Sequence, residues 1–205
     1  MSPILIIDYG LGNIGSLRNM FRRIGAAVDV AGDEASIARA AKLLLPGVGA
    51  FDPAMRRLRE TGLAELVRRR ALVDRIPVLG ICLGMQLLTE GSDEGREPGL
   101  GIVPARAHRF PASETLKVPH MGWNLVRKSA PSPLTAGLPD DSRFYFVHSY
   151  HVQVANPRHS ILKAHYGLDF DAAIQRENVF GAQFHPEKSH RFGMTLLKAF
   201  AEMPC

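Results

Sequence analysis

Val78-Leu79-Gly80-Ile81-Cys82-Leu83-Gly84-Met85-Gln86 frames everything else in this chain. Pro77 to Ile81 is apolar throughout, as a strand buried on both faces of a parallel sheet must be, and Leu83 to Leu88 continues with helical character. Cys82 stands at the turn between them. Glycines two residues before and two residues after it give a Gly-x-Cys-x-Gly elbow, the nucleophile-elbow pattern with sulfur in place of a hydroxyl. A strand-to-helix turn this sharp strains its central residue, and small neighbours let the chain segments pass. The sulfur then sits at the carboxyl end of the sheet, where open α/β folds bind ligands, and at a helix N-terminus, which favours an ionised thiol. A small buried hydrophobe is the plain alternative for such a cysteine.

Toward the N-terminus the same alternation repeats. Ile4 to Ile7 is an apolar strand, followed by the turn Tyr9-Gly10-Leu11-Gly12-Asn13 and a helix from about Asn13 to Ile24 that stops at Gly25. Val28 to Ala31 and Lys42 to Leu45 are further strands. Asp52-Pro53 reads as an N-cap with proline at the first helical position, and helix continues, broken near Gly62, to about Ala71. Alternating strand and helix predicts an α/β fold: a doubly wound, mostly parallel sheet with helices on both faces. The second half differs. Segments near Leu100 to Phe110, Val118 to Val126, Phe144 to Val154, Ser160 to Tyr166, Ala172 to Gln175 and Val179 to Phe184 are β-rich and separated by prolines. They predict antiparallel strands and hairpins added to the sheet. A last helix carries Phe192, Leu196, Leu197 and Phe200. With no repeat or linker, residues 1–205 read as one domain.

Composition narrows the function. The 205 residues are 46% hydrophobic and 22% charged, ordinary for a globular chain. The net charge of +5 comes partly from Arg56-Arg57, Arg59 and Arg68-Arg69-Arg70. No aromatic residues interleave with them, so they read as solvated helix faces, and nucleic acid is not expected as a partner. No apolar run suits a membrane span, and the N-terminus reads as a strand, not a signal peptide. Two cysteines, Cys82 and the terminal Cys205, make no disulfide framework, so a reducing cytoplasm is expected. Cys205, at a chain end, should be the less reactive thiol.

A thiolate nucleophile needs a base, and the base an orienting group. Phe184-His185-Pro186-Glu187-Lys188 follows the strand Val179 to Phe184. His185 and Glu187, two apart, would point the same way in extended backbone. His148 and His151 have a metal-like H-x-x-H spacing but no third candidate ligand, so neither metal nor cofactor is expected. Tyr9-Gly10-Leu11-Gly12-Asn13 lacks the third glycine of a dinucleotide fingerprint.

Together, Gly80-Ile81-Cys82-Leu83-Gly84-Met85-Gln86 and Phe184-His185-Pro186-Glu187 resemble the class I (triad) glutamine amidotransferases. Leu45-Pro46-Gly47-Val48-Gly49-Ala50-Phe51, Val118-Pro119-His120-Met121-Gly122-Trp123-Asn124 and Tyr145-Phe146-Val147-His148-Ser149-Tyr150 are similar, in order, to blocks of the glutaminase subunits of imidazole glycerol phosphate synthases. The resemblance spans essentially the whole chain. It implies a catalytic triad of Cys82, His185 and Glu187, with glutamine as substrate. It also implies an oxyanion hole from Leu83 and a peptide of Gly47-Val48-Gly49, and Gln86 near the substrate. It places Asn13, Trp123, Tyr145 and Lys188 near a (β/α)₈-barrel cyclase partner. The ammonia would there serve formation of imidazole glycerol phosphate and an aminoimidazole carboxamide ribotide, in histidine biosynthesis. A paralogous amidotransferase with another acceptor fits the same motifs. The Leu45–Phe51 and Val118–Asn124 blocks argue against a stand-alone cysteine hydrolase or protease, and the intact Cys82, His185 and Glu187 set argues against a catalytically dead scaffold.

Overall fold

A computed structural model describes residues 4–111 and 116–204. The first half runs β1 (Ile4–Ile7), α1 (Ile14–Arg23), β2 (Val28–Ala31), α2 (Glu34–Arg39), β3 (Lys42–Leu45), α3 (Phe51–Glu60), α4 (Leu63–Leu72), β4 (Val78–Ile81) and α5 (Leu83–Leu87). The second runs β5 (Ala105–Arg109), β6 (His120–Leu125), β7 (Arg127–Lys128), β8 (Arg143–His148), β9 (Tyr150–Val154), β10 (Ser160–His165), β11 (Asp169–Arg176), β12 (Val179–Ala182) and α6 (His190–Glu202).

The main sheet has the order β2-β1-β3-β4-β12-β11-β10-β7. Its first five strands are parallel, and β11, β10 and β7 extend it in antiparallel fashion. β1, β3 and β4 are buried at every residue. Their side chains alternate between two apolar layers, as the period of two requires. Ile4, Ile6, Leu44 and Leu79 share a cluster with Leu17 and Phe21 of α1 and Leu196 and Phe200 of α6. Leu5, Ile7, Leu43 and Leu45 share the other with Leu58 of α3 and Val67 of α4. At about 1.5–3 kcal/mol for each fully buried aliphatic side chain, these layers hold the sheet.

Four features depart from the sequence reading. Val179–Ala182 is parallel to β4 rather than an added antiparallel strand, in the register Ala182 opposite Ile81. It turns back antiparallel from β11, which reverses it into the direction of β4, and its four buried residues match a strand covered on both faces. Of the second-half segments before residue 155, only the two-residue β7 joins the main sheet. β5 pairs with β9, and β6 with β8, as separate two-stranded ribbons. Each covers an apolar layer: Phe144 and Phe146 on one side, Ala107 and Val152 on the other. The six-residue α2, too short for a clear periodicity, went unread; Asp33 caps it, accepting from the Ser36 N–H at 2.8 Å. Finally, Asp52 is not an N-cap. α3 starts at Phe51, whose N–H donates to Glu94 Oε2 at 2.9 Å. The Asp52 carboxylate instead accepts the N–H groups of Arg96 and Glu97, bonds that hold it below the usual carboxylate range.

Candidate active site

Close contacts force the elbow geometry. Cys82 has φ 54° and ψ −113°, a region L-residues avoid at a cost of about 1–3 kcal/mol. Its own N–H donates to Ala182 O at 2.7 Å, tying the turn to β12. The flanking glycines are required by space. A Cβ on Gly80 would stand 2.6 Å from Gly84 O, and one on Gly84 would stand 2.0 Å from Leu45 O. Cys82 itself is 7% exposed, facing a cavity of about 410 Å³ lined also by Val48, Leu83, Gln86, His148 and His185.

His185 follows β12 across this cavity. Its Nδ1 meets Glu187 Oε1 at 2.8 Å, with both side chains nearly inaccessible to water. The pair does not form by the extended geometry read from the sequence. Pro186–Lys188 is a single turn of 3₁₀ helix, and the turn folds Glu187 back onto the ring. The Asn13 amide donates to the same Glu187 oxygen at 3.4 Å. Burial alone pulls the imidazole down, but hydrogen bonds with Cys82 and Glu187, and their charges, outweigh it and raise His185 to about 9. The ring is therefore held as a cation beside the sulfur, with Glu187 fixing its orientation.

The loop Pro46–Gly49 closes the other side. Tyr9, fully buried, donates its hydroxyl to Pro46 O at 2.7 Å; burial and then the Cys82 charge push that phenol far up, so it stays a donor. Gly47 is packed, not loose: a Cβ there would lie 2.6 Å from Gly84 N and 2.8 Å from Leu83 Cβ. Gly49 has φ +95° and open space around it, so conformational freedom resides there. The N–H groups of Val48, Gly49 and Leu83 meet no acceptor among the described residues. Gln86 lies under the cavity, its amide donating to Tyr150 O and to Gln183 Oε1, each at 3.1 Å. Gln183, with its amide 3.9 Å from Cys82 Sγ, was missed in the sequence. Its adjacency to Cys82 depends on the parallel pairing of β12 with β4, which the sequence reading had reversed.

The four residues assigned to a partner face share one surface. Trp123 and Tyr145 are cross-strand partners on β6 and β8, Lys188 lies over the Tyr145 ring at 5.6 Å, and Asn13 reaches the same turn through Glu187. The Tyr145 carbonyl also accepts the His185 N–H at 2.9 Å, which joins this face to the site. His148 and His151 take part in no metal-like cluster; among the described residues no group of three or more His, Cys, Asp or Glu is placed to hold an ion. Cys205 lies outside the described residues, as does any comparison of its reactivity. No helix among them is long and apolar enough to cross a membrane.

A strained cysteine elbow, an imidazole–carboxylate pair and unpaired backbone donors around one cavity suit acyl transfer from a carboxamide. The family model for class I glutamine amidotransferases matches residues 5–203, and the chain belongs to that family. Among its relatives, imidazole glycerol phosphate synthase subunit HisH of Bdellovibrio bacteriovorus is 51% identical over 203 residues, covering 98% of this chain and 100% of the relative. HisH 2 of Pseudomonas aeruginosa is 48% identical, covering 98% and 99%. Solved structures agree on the fold. PurLQS from Thermotoga maritima has a TM-score of 0.73 at 15% identity, covering 98% of each chain. The glutaminase domain of Trypanosoma brucei CTPS has a TM-score of 0.67 at 17% identity, covering 100% of this chain and 96% of that one.

Proposed function

We propose that this chain is the glutaminase subunit of an imidazole glycerol phosphate synthase, supplying ammonia to a (β/α)₈-barrel cyclase in histidine biosynthesis. The observation that carries the catalytic reading is the Cys82 elbow and the His185–Glu187 pair at one cavity. The near-full-length similarity to HisH subunits supports the pathway.

The Cys82 sulfur attacks the side-chain carbonyl of glutamine. Leu83 and the Val48–Gly49 segment supply N–H donors to the tetrahedral oxyanion. The carbon–nitrogen bond breaks as His185 gives a proton to the departing ammonia, leaving a γ-glutamyl thioester. His185, now neutral, takes a proton from water, which attacks the thioester; the carbon–sulfur bond breaks and glutamate leaves. Glu187 stabilises the imidazolium at both ends of this cycle. The buried, unpaired Cys82 suits a reducing compartment, consistent with the cytoplasm.

The outer face of the β6–β8 ribbon supports the partner assignment. Met121, Trp123 and Leu125 are 62%, 45% and 59% exposed, a row of apolar side chains beside Tyr145 and Lys188. Large apolar groups exposed in one row mark a contact surface, which here would receive the barrel. The test is Cys82→Ala in the assembled complex. Glutamine-dependent synthesis is expected to vanish while synthesis from added ammonia continues. Retained glutamine use would overturn the assignment of Cys82, and loss of the ammonia-driven reaction in a folded complex would give Cys82 another role.

A further inference from the structure

We propose that Gln183 donates an N–H to the Cys82 sulfur, and that a directed hydrogen-bond chain from the β6 strand through His120, His148, the Tyr150 carbonyl and Gln86 aims that donor. The inference rests on the reading of Cys82 as the nucleophile. Register places the two residues together: the Cys82 N–H bonds Ala182 O at 2.7 Å, so the next residue of that strand, Gln183, lies beside the sulfur. Its amide nitrogen stands 3.9 Å from Sγ, within reach of a sulfur acceptor, and the side chain is fully buried.

Which end of the Gln183 amide faces the sulfur follows from its partners. The Tyr150 carbonyl only accepts, so the Gln86 atom 3.1 Å from it is the NH₂ group. The second hydrogen of that NH₂ goes to Gln183 at 3.1 Å, so the Gln183 atom there must be its oxygen. The Gln183 NH₂ is then left facing Cys82. The same logic runs back to the surface ribbon. The Asn124 NH₂ donates to His165 O at 2.8 Å and to His120 Nε2 at 3.2 Å. His120 Nδ1–H then donates to His148 Nε2 at 2.9 Å, and His148 Nδ1–H to Tyr150 O at 2.8 Å. Every member has one orientation, and the chain requires both imidazoles neutral. Their surroundings enforce this: burial lowers His120 to about 4 and His148 to about 3.

Several ionisable groups face the sulfur or its cavity. His185 comes from the turn after β12, Tyr9 from the end of β1, Glu94 from the loop after α5, His148 from the end of β8, and Lys188 from the 3₁₀ turn. Gln183 adds a neutral donor that no titration removes. It would favour the ionised sulfur before attack and ease departure of the thiolate when the thioester breaks.

The experiment measures alkylation of Cys82 by iodoacetamide against pH, read by peptide mapping of the full chain, with kcat and KM for glutamine in the cyclase complex. Gln183→Met keeps the volume and removes the donor. The half-maximal point of the alkylation curve is expected to rise by about one pH unit, with kcat falling about tenfold and KM changing less. His148→Asn, whose side-chain N–H takes the place of Nδ1–H, should keep the parent curve, while His148→Phe should move it in the Gln183→Met direction. A parental curve and kcat for folded Gln183→Met would overturn the inference, as would equal curves for His148→Asn and His148→Phe. If Gln183→Met does not fold, the two His148 variants decide. Glutamine use by Cys82→Ala would instead remove the catalytic reading itself, a result these curves do not mimic.

Discussion

Glu187 keeps one buried oxygen, Oε2, without a hydrogen-bond partner while Oε1 takes both His185 and Asn13. Glu187→Gln leaves a carbonyl acceptor for the imidazole but withdraws the negative charge that stabilises imidazolium. Glutaminase activity in the complex should therefore fall well below the parent yet stay above His185→Ala, as compared by kcat. The glycines at the site separate by cause. Gly47→Ala drives a methyl against the Gly84 amide and the Leu83 side chain, and overpacking of this kind costs about 1–3 kcal/mol. For a chain of this length that lowers the melting temperature by very roughly 2–12 °C, and a calorimetric scan checks it. Glutamine turnover should fall with it, because the shifted backbone carries the proposed oxyanion donors. No melting-point change for Gly47→Ala would mean that the loop moves freely from α5.

Between elements, the loop after β3 is held unevenly. Its first residue is fixed by Tyr9, its second by α5, and only from Val48 to Gly49 does it have room to turn. One orientation of a peptide there presents N–H to the oxyanion and the opposite presents a carbonyl, and loss of one such donor costs about 10²–10³ in rate. The chain alone should accordingly hydrolyse glutamine at least about 10²-fold more slowly than the ligand-bound complex. Equal rates with and without the cyclase and its nucleotide ligand would exclude such a switch. Trp123 belongs to the ribbon that would receive the partner, stacked on His190 at 5.5 Å and paired with Tyr145. Trp123→Ala should weaken assembly in a titration with the cyclase while leaving Cys82 alkylation unchanged, since among the described residues no hydrogen bond joins the indole to the groups around the sulfur.

For the molecule as a whole, buried histidines with opposite shifts bracket the pH of greatest stability. His120 and His148 are depressed to about 4 and about 3, against an unfolded value near 6.5. Their neutral forms stabilise the fold above pH 6.5, and that contribution is lost as pH falls toward those lower values, at up to about 1.4 kcal/mol per pH unit for each. His185 has the opposite sign. Raised to about 9, it stabilises the fold below pH 6.5 and loses that contribution as pH rises through 9. Melting temperature should thus decline on both sides of neutrality. Replacing His148 by Asn should flatten the acid limb, and a limb of unchanged slope would contradict its buried neutral state.

The cysteine elbow, the first four parallel strands and the family are legible in the chain, because each rests on local pattern. A Gly-x-Cys-x-Gly elbow needs its glycines within two positions of the sulfur, and strands buried on both faces show as short apolar runs. His185 and Glu187 were also readable as a pair, although a 3₁₀ turn and not extended backbone brings them together. What depends on strand order was not legible. Val179–Ala182 is a short apolar run as well, but nothing in its composition says which strand it pairs with or in which direction. That one pairing places Gln183 beside Cys82 and His185 across from it. Likewise Tyr9 and Pro46 are 37 residues apart, and Gln86 and Gln183 are 97 apart. Contacts at such separations are set by how layers pack, since a side chain's neighbours across a sheet carry no signature in its own segment.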